Sequence, residues 1–85
     1  MIPPFRIDWL EEAKVDVRGL DRPTAMRVFD GILRFARSGF GDVVALQGEM
    51  AGSYRLRIGD YRVLFMVEQG AMQVVGVRHR SEAYR

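Results

Sequence analysis

The chain contains no cysteine, one histidine and one lysine, which limits the side chains available for catalysis and metal binding. Without cysteine there is no disulfide framework, no thiolate metal site and no thiol nucleophile. No apolar run approaches the roughly 20 residues of a membrane-spanning helix. Charged residues follow directly after residues 1–5, so we expect no signal peptide, no membrane partner and a cytoplasmic location.

The basic residues that are present are almost all arginine and are unevenly placed. Residues 1–50 contain seven Lys or Arg and eight Asp or Glu, whereas residues 51–85 contain six arginines and three acids. Planar guanidinium groups bind phosphate through two hydrogen bonds at once. The last third of the chain is therefore the place to look for an anion-binding function.

With 48% apolar residues, the 85-residue chain can bury one modest core, so residues 1–85 are predicted to form a single domain.

The first half of the chain predicts one strand and two helices. Apolar and polar side chains alternate in residues 5–8, which is typical of a strand. Helical spacing follows, with Asp8 as the predicted N-cap and Gly19 at the end. A second helix is predicted to begin at Asp21 and to end at Gly39. The two helices are expected to form an antiparallel hairpin.

The second half predicts strands. Residues 40–52 contain three glycines around a few aliphatic residues and are expected to form an irregular crossover. The segments 53–58, 61–68 and 72–77 are predicted to form a three-stranded antiparallel meander. The order β-α-α-β-β-β predicts an α+β fold in which the helical hairpin covers one face of the sheet and leaves the other open.

A two-residue turn at 59–60 sets the register of the first predicted hairpin. It places Arg57 opposite Arg62, and Arg55 shares their face, away from the core. Like charges opposite each other destabilise a strand pair, and no acid is expected beside these arginines on the open face of the two strands. The convergence favours an anion-binding surface over a merely solvated edge.

The register of the third strand leaves two alternatives. A three-residue loop at 69–71 would place Arg78 beside Arg62, whereas a two-residue loop would direct it into the core, where an unpaired arginine is costly. We predict the first. His79, Arg80 and Tyr84 would then add an imidazole, an RNA-binding cation and a phenol beside the arginines.

Two stretches of sequence resemble the RelE branch of the RelE/ParE toxin superfamily. They are YRLRIGDYRVLF at 54–65 and, after one more strand, RHRSEAY at 78–84, whose Ser-Glu-x-Tyr tail is the most specific part. The resemblance implies a RelE-like fold and the toxin half of a type II toxin–antitoxin system. It implies a ribosome-dependent endoribonuclease that cuts messenger RNA in the ribosomal A site without a metal or another cofactor. The residues at the family's functional positions are Arg55, Arg57, Arg62, Arg78 and Tyr84.

The implied reaction is attack of a 2′-hydroxyl on the adjacent phosphate, which leaves a 2′,3′-cyclic phosphate and a 5′-hydroxyl. Arginines can stabilise the charge that develops on phosphate but are poor proton carriers. Some family members have lysine at one or both hairpin positions, where this chain has Arg55 and Arg57. The candidates for proton transfer are therefore Tyr84 and His79.

The resemblance also implies partners and leaves rival functions open. The expected partners are a cognate antitoxin, the ribosome and its messenger RNA, with operator DNA contacted only through the antitoxin. The main alternative is a ParE-like toxin that inhibits DNA gyrase and cuts no RNA. A third reading is a catalytically silent relative that acts only as an antitoxin-bound corepressor.

Overall fold

The computed structural model describes residues 2–82. They form one five-stranded sheet, two α-helices and a short 3₁₀ turn. The strands are β1 (Arg6–Trp9), β2 (Asp42–Ala45), β3 (Ser53–Ile58), β4 (Tyr61–Glu68) and β5 (Ala71–His79), and the helices are α1 (Glu11–Arg18) and α2 (Arg22–Ser38). The predicted α+β class is confirmed. Neither helix in this part of the chain is both long and apolar enough to cross a membrane.

The sheet has the order β1-β5-β4-β3-β2. Strands β3, β4 and β5 form the predicted antiparallel meander. Strand β1 pairs in parallel with β5, so the sheet is mixed, and β1 and β2 form its two edges. The β1 pairing stops at Trp9 and Val74, which leaves the outer edge of the last residues of β5 without a strand neighbour.

Strand β2 was not expected, and the prediction of an irregular crossover across residues 40–52 is wrong there. Its four residues pair antiparallel with β3, with Asp42 opposite Arg57 and Ala45 opposite Tyr54. Three of the four are exposed, so the strand lacks the buried alternate side chains by which a strand is recognised in sequence. The 3₁₀ turn Gly48–Met50 then returns the chain to β3.

Helix α1 begins two residues later than predicted. Leu10 is its N-cap, and Asp8 belongs to β1. The strand continues because Trp9 lies opposite Val74 and its ring packs edge-on against Phe29, with the centroids 5.3 Å apart. This tertiary contact outweighs the local capping preference of an aspartate.

Helix α2 begins and ends as predicted. Asp21 is the N-cap and accepts a hydrogen bond from the Thr24 N–H at 3.2 Å, and Gly39 ends the helix in the left-handed conformation with φ 75°. The buried side chains of this helix pack against the sheet. They are Val28, Ile32, Phe35 and Ala36.

We expect the α2 cap to stabilise the fold in a pH-dependent way. The side-chain hydrogen bond from Thr24, followed by its backbone N–H, lowers the pKa of Asp21 below the ordinary value of 3.8. A carboxyl whose pKa is depressed in the folded state contributes stability above its unfolded pKa and loses that contribution as the pH falls through the folded value. Asp21→Ala should therefore lower the urea midpoint near neutral pH, and the difference from the wild type should shrink in acid. Asp21→Asn, which still caps a helix, should lose less, so equal losses for the two variants would contradict this account.

The core lies between α2 and one face of the sheet. Its largest fully buried side chain is Phe65, at 0% exposure. The Phe65 ring lies 5.2 Å from the Phe35 ring and 5.4 Å from the Tyr54 ring, measured between centroids. Leu56 on the neighbouring β3 and Val63, two residues before Phe65 on β4, point the same way and are also buried. The opposite face of the sheet carries the arginines.

An irregularity in β5 determines where Arg78 lies. The β4–β5 turn has two residues, with φ 51° at Gln69 and 77° at Gly70, so the predicted three-residue loop is wrong. The register shifts near Leu64, however, and leaves Val75 as an extra residue. Such a bulge reverses which side chains face the core. Arg78 therefore lies opposite Arg62, and its predicted position is confirmed.

Candidate functional site

Three arginines on three neighbouring strands line up across the uncovered face of the sheet. The register places Arg57 opposite Arg62, and Arg62 opposite Arg78. Residues opposite each other on adjacent strands project from the same face, with Cβ atoms about 5 Å apart. We call Arg57, Arg62 and Arg78 the arginine row. Arg55 projects from the same face two residues earlier on β3, opposite Leu64.

An acidic residue continues the row on β2. Asp42 lies opposite Arg57 on β2, a strand that was not predicted, so a carboxylate stands beside the arginines although none was expected on the open face of β3 and β4. A shallow depression of about 250 Å³ lies here, lined by Asp42, Val44, Arg55, Arg57 and Arg62. Three guanidinium groups against one carboxylate leave it positively charged, and it is large enough to admit a phosphate group.

Arg62, at the centre of the row, is buried. Only 8% of the residue is exposed, which is unusual for an arginine. Its Nη1 donates hydrogen bonds to the carbonyl oxygens of Gly59 at 3.0 Å and Tyr61 at 3.1 Å. Both bonds come from one nitrogen, and they fix the guanidinium against the β3–β4 turn. Arg57 is exposed by contrast, so the row combines a fixed cation with an accessible one.

Arg78 is held by two carboxylates of α1. Its Nη1 donates to Asp16, and its Nη2 donates to Glu12. The hydrogen bond to Glu12 raises the pKa of Arg78 above its ordinary value, burial opposes this, and the charges of Asp16 and Glu12 add to the rise. Arg78 is therefore a permanent cation whose terminal nitrogens already have partners within the protein.

His79 lies on the opposite face of the sheet from the arginine row. It pairs with Tyr61, and the two rings meet edge to face with centroids 5.3 Å apart. Its Nδ1 accepts the backbone N–H of Ser81 at 3.2 Å and lies 2.9 Å from the Ser81 hydroxyl. The expectation that the imidazole lies beside the arginines is wrong, because adjacent residues of a strand face opposite ways. A catalytic role for His79 stays a prediction.

Arg80 directly follows β5. The Arg80 N–H donates to the Asp60 carbonyl at 2.7 Å, and its Nε lies 3.8 Å from the Asp60 carboxylate, so Arg80 is an exposed cation beside the β3–β4 turn. Its role in RNA binding stays a prediction. Tyr84 lies outside the described residues. Within residues 2–82, no group of three His, Asp or Glu side chains is placed to bind a metal ion.

Sequence reasoning missed the acids that surround the row. Asp42 was missed together with β2. Glu12 and Asp16 are four residues apart and therefore lie on one face of α1, which is a readable signal. The partner of that face was not readable, because Arg78 is 62 residues from Asp16 in the chain.

Comparison with known proteins identifies the class of this chain. Residues 7–84 match the family described as the ParE toxin of type II toxin–antitoxin systems, parDE. The match covers nearly the whole chain, so the chain belongs to this family of toxins. The predicted membership of the RelE/ParE superfamily is thereby confirmed. No curated protein sequence matches the chain.

Solved structures show the same fold. The crystal structure of the toxin–antitoxin complex RelBE2 from Mycobacterium tuberculosis contains a chain that is 21% identical, with a TM-score of 0.84 over 96% of this chain and 98% of that one. The RelE–RelB complex from Pyrococcus horikoshii gives 21% identity and a TM-score of 0.75 over 94% and 99%. The YoeB/ParE toxin from Agrobacterium tumefaciens gives 22% and 0.73 over 88% and 98%. These structures are similar to this chain in fold.

Proposed function

We propose that this toxin is a ribosome-dependent endoribonuclease that cuts messenger RNA in the ribosomal A site. The observation that supports the proposal most is the arginine row, with Arg55 beside it. Its like-charged members lie opposite one another, which weakens strand pairing. Carboxylates lie beside Arg57 and Arg78 in the free toxin, and a phosphate that gains negative charge during reaction would be stabilised by Arg55, Arg57 and Arg62 together.

The reaction we propose is transfer of the phosphate to the neighbouring 2′-oxygen. That oxygen forms a bond to phosphorus, the bond from phosphorus to the 5′-oxygen breaks, and one proton passes from the 2′-hydroxyl to the leaving oxygen. Arg57 and Arg62 stabilise the charge on the phosphate oxygens, with Arg55 alongside them. Tyr84 is our candidate for moving the proton, since His79 faces the other side of the sheet.

Inhibition of DNA gyrase is the second candidate. Two observations favour it: the matched family carries the ParE description, and the terminal nitrogens of Arg78 are already bonded to Asp16 and Glu12. A toxin that acts by binding alone does not need Arg78 to meet a phosphate. The two activities therefore have to be measured side by side.

We further propose a cognate antitoxin as the partner of the free toxin, with operator DNA contacted only through it. The structure from Mycobacterium tuberculosis is a toxin–antitoxin complex, and the one from Pyrococcus horikoshii is a RelE–RelB complex. Met26, Phe29 and Leu33 of α2 are 50%, 39% and 39% exposed and recur at helical spacing, so they offer an apolar stripe to an antitoxin segment. A ribosomal target places the toxin in the cytoplasm.

The test is cleavage by the purified toxin on translating ribosomes, with the same message free in solution as a control and gyrase supercoiling measured in parallel. The proposal expects cuts only in the ribosome-bound message and unchanged gyrase activity. Intact messages together with inhibited gyrase would replace it with the second candidate. Inactivity in both assays would support the third alternative, a catalytically silent relative that acts only as an antitoxin-bound corepressor.

A further inference from the structure

Four features of β5 and α1 together position the ion pair between Arg78 and Asp16. The Val77 N–H, past the end of β1, donates to the Asp16 Oδ2 at 2.9 Å. The same oxygen accepts the Nη1 of Arg78. A Cβ atom at Gly76 would lie 3.4 Å from this oxygen, close to ordinary van der Waals distance, so glycine leaves this side of the carboxylate uncrowded. The bulge in β5 completes the set by turning Arg78 to this face.

The two carboxylates that hold Arg78 differ in how firmly they are themselves held. The Asp16 side chain is 18% exposed and bonds both the β5 backbone and the guanidinium. The Glu12 side chain is 62% exposed, and Arg78 is its one partner among residues 2–82. Breaking the Glu12 contact thus costs little, as is usual for exposed ion pairs. Breaking the Asp16 contact would also leave a backbone N–H without its acceptor.

Glu12 and Asp16 occupy the two terminal nitrogens through which an arginine binds phosphate in a bidentate manner. A guanidinium has five N–H donors, so Arg78 keeps others, but a phosphate that takes both terminal nitrogens in this way replaces one of the two carboxylates. The exposed and singly bonded Glu12 is the one that can leave. Asp16 then continues to hold Nη1 and the end of β5, and Nη2 becomes available.

We propose that Asp16 is a positioning residue for Arg78 and that Glu12 is a displaceable carboxylate, which occupies the place of a substrate phosphate in the free toxin. The predicted changes in KM and kcat rest on the proposed ribonuclease function, whereas the predicted change in phosphate binding does not. It assigns to α1 a part in substrate binding, which the resemblance did not imply.

The kinetic test compares three variants that each remove one negative charge from α1. Glu12→Gln should lower KM for ribosome-bound message about threefold and leave kcat unchanged, because a half-exposed ion pair no longer competes. Asp16→Asn should lower kcat about tenfold without raising KM, because its neutral amide oxygen can still accept from the Val77 N–H but holds the Arg78 guanidinium less firmly than a carboxylate does. Glu11→Gln is the matched control, since Glu11 contacts Lys14 at 3.8 Å rather than Arg78, and it should change neither constant. A wild-type kcat for Asp16→Asn, with the variant folded by circular dichroism, would overturn the positioning role.

A second readout does not depend on ribonuclease activity. Titration with inorganic phosphate, followed by the NMR signal of the Arg78 side chain, should reach half-saturation at about a threefold lower concentration in Glu12→Gln than in Glu11→Gln. Equal concentrations in the two variants would overturn the proposed displacement even if the toxin cuts RNA. A wild type that cuts no RNA, with the expected difference in phosphate binding, would instead overturn the proposed function and leave the displacement intact.

Discussion

Arg57→Gln should lower the rate of ribosome-dependent RNA cleavage by about 10² to 10³-fold, the size expected when one preorganised group that stabilises transition-state charge is removed. Arg57 is the exposed member of the arginine row, and Asp42 stands opposite it. Removing its guanidinium exposes no core surface, so the free energy of unfolding should stay within about 0.5 kcal/mol of the wild type. The measurement is the single-turnover cleavage rate on programmed ribosomes, together with a urea unfolding curve.

Arg22→Gln is the matched control for this loss. Arg22 is also an exposed arginine, but it lies at the start of α2, which packs on the other face of the sheet. The control changes net charge by the same amount and should cleave at close to the wild-type rate. Equal losses in both variants would mean that overall charge, and not the arginine row, determines activity.

Phe65→Ala should lower the free energy of unfolding by about 3–5 kcal/mol, which is the cost of emptying a fully buried aromatic site. Phe65 is 0% exposed and packs between Phe35 and Tyr54. Since the net stability of a domain is only about 5–15 kcal/mol, the loss should be visible as a large drop in the urea midpoint.

Phe40→Ala provides the comparison for the core. Phe40 is 67% exposed, and its contact is the Arg34 guanidinium, 4.9 Å from the ring centroid. Truncating it should change the unfolding free energy by no more than about 0.5–1 kcal/mol. A similar loss from both phenylalanines would show that the core does not lie where the structure places it.

The parts of the fold that could be predicted from sequence are those that short-range chemistry determines. Asp21 and Gly39 mark the ends of α2 because a side-chain cap and a left-handed residue are local requirements. The two-residue turn at 59–60 determines the pairing of Arg57 with Arg62, since register follows turn length in a hairpin. Both could therefore be derived without knowledge of the rest of the chain.

The parts that could not be predicted depend on distant contacts. The exposed edge strand β2 has no buried alternate side chains, so its pairing with β3 leaves little trace in the sequence. The bulge at Val75 involves the pairing of two strands, and because of it Arg78 lies on the predicted face although the predicted loop length was wrong. The burial of Arg62 could not be predicted from its residue type, because it depends on hydrogen bonds to the carbonyl groups of Gly59 and Tyr61.

The candidate site also has one part that local geometry predicts and another that depends on distant contacts. The shared face of Arg55, Arg57 and Arg62 followed from strand geometry alone. The acids came from segments whose position the sequence did not reveal: Asp42 of β2 lies opposite Arg57, and Glu12 and Asp16 of α1 bind Arg78. The site is therefore better described as a set of cations balanced by carboxylates than as an unopposed basic surface.

The chemical ends of the cleaved message test the central claim most directly. The 5′ ends of messages from stalled ribosomes should be mapped to single nucleotides after incubation with wild-type toxin and with Arg57→Gln. The account predicts cuts within the A-site codon that carry 5′-hydroxyl groups, and their near-complete loss in the variant. Unbroken messages, or wild-type and variant toxins that give the same cuts, would contradict it.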